Sequence, residues 1–210
     1  MSATSSLDAP SPHLLMRGFL PVAEHRAILD WALANQGSFA PSRVGSGKLR
    51  TDFRSSATAK AADYPWKAAF RQRVLDVVPE LSRALGATAF EVEQIQVSLI
   101  AYNDGDFYRE HVDTEPSHDR KDVERIGDRV LSAVYYFHRE PKGYSGGALR
   151  LHAFNPASDR FEDVAPKQNS LVAFASFARH EVRPVICPSR RFEDSRFAIN
   201  CWVRRVPVAQ

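Results

Sequence analysis

The sequence predicts a mainly β fold with flanking helices: a double-stranded β-helix, or jelly roll, with N-terminal helices packed outside it. Three observations lead there. Helical periodicity is confined to the part of the chain before Gly86. After Gly86 the pattern turns to short runs rich in Val, Ile, Tyr and Phe, broken by Gly, Pro and Asp. The chain has 210 residues, enough for one closed core with a few added helices.

Met1 to Pro12 is polar and holds Ser5, Pro10 and Pro12. The expectation is a flexible leader over residues 1–16 and a single domain over 17–210. Within that domain, residues 17–88 form a helical support and 89–205 the β core. From Pro21 to Gln36, Ala23, Ile28, Leu29, Trp31 and Ala32 recur at helical spacing. From Pro65 to Leu85, Phe70, Val74, Leu75, Val78 and Leu81 do the same. Pro79 is expected to kink or divide this second helix, and Gly86 to stop it. The Ser-, Gly- and Arg-rich segment 37–62, with Arg50-Thr51-Asp52-Phe53-Arg54, reads equally as a hairpin or an irregular loop.

The strand reading begins at Val92–Tyr102, where Ile95, Val97, Leu99 and Ala101 share one face. It continues over 129–138, 147–153, 161–164, 170–174, 181–185 and 196–204. Gly146-Gly147 marks a tight turn or a close backbone approach.

Composition narrows the function. The net charge is +3, with basic and acidic residues interspersed, so no nucleic-acid partner is expected. No run approaches the roughly 20 apolar residues of a membrane span. The start of the chain lacks a basic stretch followed by an apolar one. With two cysteines, Cys187 and Cys201, the reading is a cytoplasmic protein with reduced thiols.

The chemistry-bearing signal is His111-Val112-Asp113. On an extended segment, residues two apart point to the same side, so one imidazole and one carboxylate can reach one ion. His180, at the start of a late strand, is well placed as the third ligand. Two His and one carboxylate with three open positions is the donor set of non-haem Fe(II) oxygenases. His-x-Asp alone is weak evidence, and a surface turn is its bland reading. His13, His25, His118, His138 and His152 read as surface or packing residues.

The downstream blocks carry a resemblance. They are Arg129-Val-Leu-Ser-Ala-Val-Tyr-Tyr136-Phe, Ser145-Gly-Gly147-Ala-Leu-Arg-Leu151, Asn169-Ser-Leu-Val-Ala-Phe-Ala-Ser, His180-Glu-Val-Arg-Pro184 and Ser195-Arg196-Phe-Ala-Ile-Asn-Cys-Trp202. In order and spacing they resemble the prolyl-hydroxylase branch of the Fe(II)/2-oxoglutarate oxygenases, with the hypoxia-inducible-factor prolyl hydroxylases the nearest likeness. The resemblance covers Tyr102 to Trp202.

It implies that His111, Asp113 and His180 are the iron ligands. It implies that Arg196 binds the distal carboxylate of 2-oxoglutarate and that Tyr102 and Tyr136 line the cosubstrate pocket. Trp202 matches a pocket tryptophan. Arg129 and Asn200, the latter on the face of Arg196, Ala198 and Trp202, complete a substrate pocket. The implied cofactors are Fe(II), 2-oxoglutarate and O2, with ascorbate in support. The implied reaction couples decarboxylation of 2-oxoglutarate to hydroxylation of an unactivated C–H bond. Halogenating members carry a small residue where Asp113 stands, so the carboxylate favours hydroxylation.

One departure stands out. Arg190-Arg-Phe-Glu-Asp194 reads as an insertion, which makes Arg190 and Arg191 rivals to Arg196. Arg196 is preferred because its segment reads as a strand, whereas the other two sit in a polar turn. The charged segment 114–128 is expected to be a lid over bound substrate. The substrate expected is a prolyl residue of a peptide or protein, with Arg50 and Arg54 reading equally as part of a groove wall or as surface residues. The alternatives are hydroxylation of a free amino acid or small metabolite, and a β-helix binding module without catalysis.

Overall fold

The computed structural model describes residues 6–44, 47–60, 64–114 and 128–206. Its strands are β1 (His13–Arg17), β2 (Phe39–Pro41), β3 (Arg54–Ser55), β4 (Ala57–Ala59), β5 (Val92–Tyr102), β6 (Phe107–His111), β7 (Arg129–Phe137), β8 (Ser145–Gly146), β9 (Leu149–His152), β10 (Phe161–Val164), β11 (Ser170–Ala175), β12 (His180–Val182), β13 (Val185–Ile186) and β14 (Arg196–Arg205). The α-helices are α1 (Val22–Ala34) and α2 (Lys67–Ala84).

The strands form a major sheet in the order β1-β11-β7-β14-β5-β4-β2 and a minor sheet in the order β10-β9-β12-β6-β3. A small β13-β8 pair completes the set. Strand alternation builds two apolar layers from the major sheet. Leu131, Tyr135 and Phe137 of β7, with Phe197, Ile199, Cys201 and Val203 of β14, pack with Ile28 and Ala32 of α1 and Phe70, Val74, Val78 and Leu81 of α2. The intervening residues Val134, Tyr136 and Ala198 face the other way. They pack with Leu149, Leu151 and Val164 from the minor sheet. Central strands buried on both faces read as near-continuous apolar runs, which is why β7 and β14 stand out in the sequence. This is the jelly roll with helices outside that the sequence predicts.

Four local expectations need correction. Residues 6–16 do not form a flexible leader. His13–Arg17 adds β1 to the edge of the major sheet, paired antiparallel with β11. Ser11 donates to the carbonyl of His152, and Asn155 donates to Asp8. Leu14 and Met16 pack on the helical side and Leu15 on the other, so the apolar triplet outweighs the polar residues before it. Residues 17–88 are not a helical support alone. The segment between the helices supplies β2 and β4 to the major sheet and β3 to the minor one. Pro79 does not divide α2. It lies on the exposed face, where water can satisfy the carbonyl that its missing N–H leaves. Leu75, assigned to the apolar face, is also largely exposed. Gly86, at φ +64, follows the helix end as expected.

Candidate active site

The β12–β6 ladder places His180 directly opposite His111. Their rings lie 4.2 Å apart between centroids. Asp113 follows the end of β6, where its N–H donates to the carbonyl of Ser176 at 2.9 Å. Its carboxylate lies 3.8 Å from Nε2 of His111 and 3.6 Å from Nε2 of His180. These separations are too long for hydrogen bonds. One ligand atom from each residue falls within a 4.8 Å cluster that can hold a metal ion.

The backbone sets both imidazoles for that task. Nδ1 of His111 lies 2.7 Å from the carbonyl of Arg109, and Nδ1 of His180 lies 2.9 Å from that of Ala178. A carbonyl only accepts, so each Nδ1 carries the hydrogen and each Nε2 lone pair faces the cluster. Burial first, and then repulsion from His180, push the His111 imidazole down to about 3. It is therefore neutral at neutral pH. Burial pushes the Asp113 carboxyl up, but His180, His111, the Ser132 hydroxyl and the Trp202 indole outweigh it and hold the carboxyl below its usual range. Ser132 Oγ donates to Asp113 at 2.7 Å. The ring of Tyr108 stacks on His111 at 3.6 Å, and Phe174 packs 4.7 Å from His180. Two imidazole nitrogens with one carboxylate suit a divalent iron.

Arg196 lies in the same cleft. It is 1% exposed, and its Nε, Nη1 and Nη2 have no hydrogen-bond partner among the described residues. Its guanidinium carbon is 4.9 Å from the Tyr102 ring centre and 4.8 Å from that of Tyr136. The Tyr136 hydroxyl is also buried, lies near enough to Arg196 to interact with it, and makes no well-formed hydrogen bond among the described residues. A buried cation without a counter-ion is strongly unfavourable, so this pocket is built for an anion. Gly147 closes its back wall. At φ +67, an added Cβ there would meet Arg196 Cδ at 2.7 Å and Val185 Cγ2 at 2.9 Å.

Asn200 and Trp202 line the cleft with Arg196, as strand alternation predicts. Arg129 is not among the lining residues. Its guanidinium lies 4.3 Å over the Trp202 ring and donates to the carbonyl of Asp113 and to Gln96. The rivals of Arg196 are engaged elsewhere: Arg190 pairs with Asp104, and Arg191 with Asp194. Most of the expected lid, residues 115–127, lies outside the described residues. Ser132, Tyr108 and Tyr144 were not anticipated. Ser132 alone carried a signal, as the polar residue on the inward face that Val134 and Tyr136 define.

A model of the 2OG-Fe(II) oxygenase superfamily matches residues 97–204. The chain belongs to this superfamily. The superfamily takes Fe(II), 2-oxoglutarate and O2, and the match spans Arg196, His111, Asp113 and His180. An uncharacterized PKHD-type hydroxylase of Synechocystis sp. is 32% identical over 209 residues. That alignment covers 96% of this chain and 66% of the relative, so the chain spans about two thirds of the relative's length. Two solved structures share the oxygenase fold. A prolyl-4-hydroxylase of Pseudomonas putida superposes with a TM-score of 0.66 at 22% identity, covering 94% of each chain. A prolyl hydroxylase of Trichoplax adhaerens, in complex with a hypoxia-inducible-factor peptide fragment, gives 0.64 at 20% identity, covering 93% of this chain and 84% of the other. Among the described residues no helix is long and apolar enough to cross a membrane.

Proposed function

We propose that the protein is an Fe(II)- and 2-oxoglutarate-dependent hydroxylase acting on prolyl residues of a peptide or protein. The observation that carries the reading is the juxtaposition of two features in one cleft. One is a three-residue metal cluster, and the other is a buried arginine without a partner. His111, Asp113 and His180 would hold iron, and Arg196 would receive the distal carboxylate of 2-oxoglutarate. Bound iron, with O2 and 2-oxoglutarate, supplies the oxidising chemistry, in which decarboxylation to succinate and CO2 accompanies hydroxylation of a C–H bond.

The chain's own residues do the positioning. The carbonyls of Arg109 and Ala178 orient the two imidazoles, while Ser132 and Trp202 orient the carboxylate. Arg196 neutralises a dicarboxylate's far end in a pocket closed to water, and its planar fork suits a carboxylate better than lysine would. Tyr102 and Tyr136 present flat ring faces to the guanidinium.

The prolyl substrate is supported by what the two structural neighbours are described as hydroxylating or binding. Beside the three candidate ligands, β3 pairs with β6 and Arg54 lies 4.7 Å over the Tyr108 ring. Ascorbate would keep the iron reduced. The test incubates the protein with Fe(II), 2-oxoglutarate and ascorbate, together with proline-containing peptides or cell-extract proteins. Mass spectrometry should find one added oxygen on proline, with succinate formed alongside. Turnover of a free amino acid or metabolite, with none on any peptide, would replace this substrate class. No iron-dependent consumption of 2-oxoglutarate with any substrate would leave a binding module.

A further inference from the structure

We propose that Tyr144 is a third anchor of the distal carboxylate of 2-oxoglutarate, its hydroxyl donating beside Arg196 and Tyr136. The inference rests on the cosubstrate reading above and adds a residue outside it. Tyr144 is 6% exposed and packs with Tyr102 and Cys187 in one small apolar cluster. Its hydroxyl is buried and has no hydrogen-bond partner among the described residues. The phenol is close enough to Arg196 and to Tyr136 to interact electrostatically with both. It immediately precedes the Ser145-Gly146-Gly147 turn that backs Arg196.

Its ring is held in place. The His138 ring meets it edge-on at 5.7 Å, and Nζ of Lys142 sits 4.3 Å from its centre. Burial raises the phenol to about 12, so it is a neutral donor at neutral pH. The hydrogen-bond count points the same way. A carboxylate offers about four acceptor sites. Arg196 can fill two of them through its fork, which leaves sites for the two orphaned hydroxyls. Side chains buried only for packing do not ordinarily leave a guanidinium and two nearby hydroxyls, here Arg196, Tyr136 and Tyr144, unsatisfied.

The test measures binding rather than turnover. The protein, loaded with Mn(II) in place of iron, is titrated calorimetrically with 2-oxoglutarate and with pyruvate, which has the 2-oxo acid head but no distal carboxylate. Tyr144→Phe keeps the ring and removes the donor. It should weaken 2-oxoglutarate about tenfold, as expected for one lost hydrogen bond to a charged group. Pyruvate binding should stay unchanged. An affinity for 2-oxoglutarate within twofold of the parent, or equal weakening of both ligands, overturns the role. Arg196→Met separates this inference from the reading beneath it. If Arg196→Met weakens 2-oxoglutarate and Tyr144→Phe does not, only the Tyr144 role fails. If neither does, the cosubstrate site itself is misplaced.

Discussion

Each imidazole of the cluster has Nδ1 tied to a backbone carbonyl, which leaves its Nε2 facing the other two candidate ligands. Replacing His111, Asp113 or His180 by Ala should therefore abolish turnover and weaken Fe(II) binding, measured by anaerobic iron titration and succinate release. Full activity in any one variant at saturating iron would remove that residue from the ligand set. Ser132→Ala leaves all three ligands but drops the donor to Asp113. It should weaken metal binding by about tenfold to a hundredfold, with less loss of turnover at saturating iron than the ligand variants. At the other end of the cleft, Arg196→Ala should raise the 2-oxoglutarate requirement about tenfold to a hundredfold, from some 1.5–3 kcal/mol for a charged hydrogen bond. Arg190→Ala should leave it alone, because that side chain is 80% exposed on Asp104. A larger effect at Arg190 would mean that the strand register is misread. Much of this was legible in the sequence, since His-x-Asp and the Arg196 strand are local patterns. Tyr108 and Tyr144 were not, because their roles depend on which strands pair and on where a turn folds back.

Length alone did not decide which strands were legible: β1 and β6, of five residues each, were not read, while the four-residue β10 was. β5 and β10 occupy the predicted residues, and Ile95, Val97, Leu99 and Ala101 all pack on the helical side. β2, β3 and β4 have two or three residues each, too few to display a period of two. They exist because longer neighbours offer them an edge. The Gly146-Gly147 turn shows how an element shapes the site. Both residues have positive φ, so Ala at either place is strained. Gly86 shares that conformation but faces open space, whereas a Cβ at Gly147 runs into Arg196 and Val185. Gly86→Ala should lower stability by about 1 kcal/mol and leave 2-oxoglutarate affinity unchanged. Gly147→Ala should lower both, because the guanidinium must shift. Thermal melting with calorimetric titration of the Mn(II)-loaded variants would separate the two. Equal affinities would show that Arg196 tolerates displacement.

At the scale of the whole molecule, the sequence placed the helices outside the β core and misjudged where the core begins. His13–Arg17 follows a polar, proline-containing stretch, and the triplet Leu14-Leu15-Met16 is too short to show a strand period. Its stability comes from β11, a partner more than 150 positions later in the chain. That strand supplies Leu171 and Ala173 to the helical layer and Val172 and Phe174 to the inner one. The consequence is testable by truncation. A chain beginning at Gly18 loses the β1 ladder and the packing of Leu14, Leu15 and Met16 on both layers, leaving β11 as a bare edge. Burying one such side chain fully is worth about 1.5–3 kcal/mol. Three partly buried ones, with the ladder, make a loss of at least about 3 kcal/mol reasonable. For a protein of this size that corresponds to a fall in Tm of roughly 6–12 °C. The exposed edge should also promote self-association on heating, visible by light scattering. The proposed iron ligands lie on β6 and β12 and just after β6, away from this edge, so metal affinity at low temperature should change little. An unchanged melting curve would restore the flexible leader and remove β1 from the structural core.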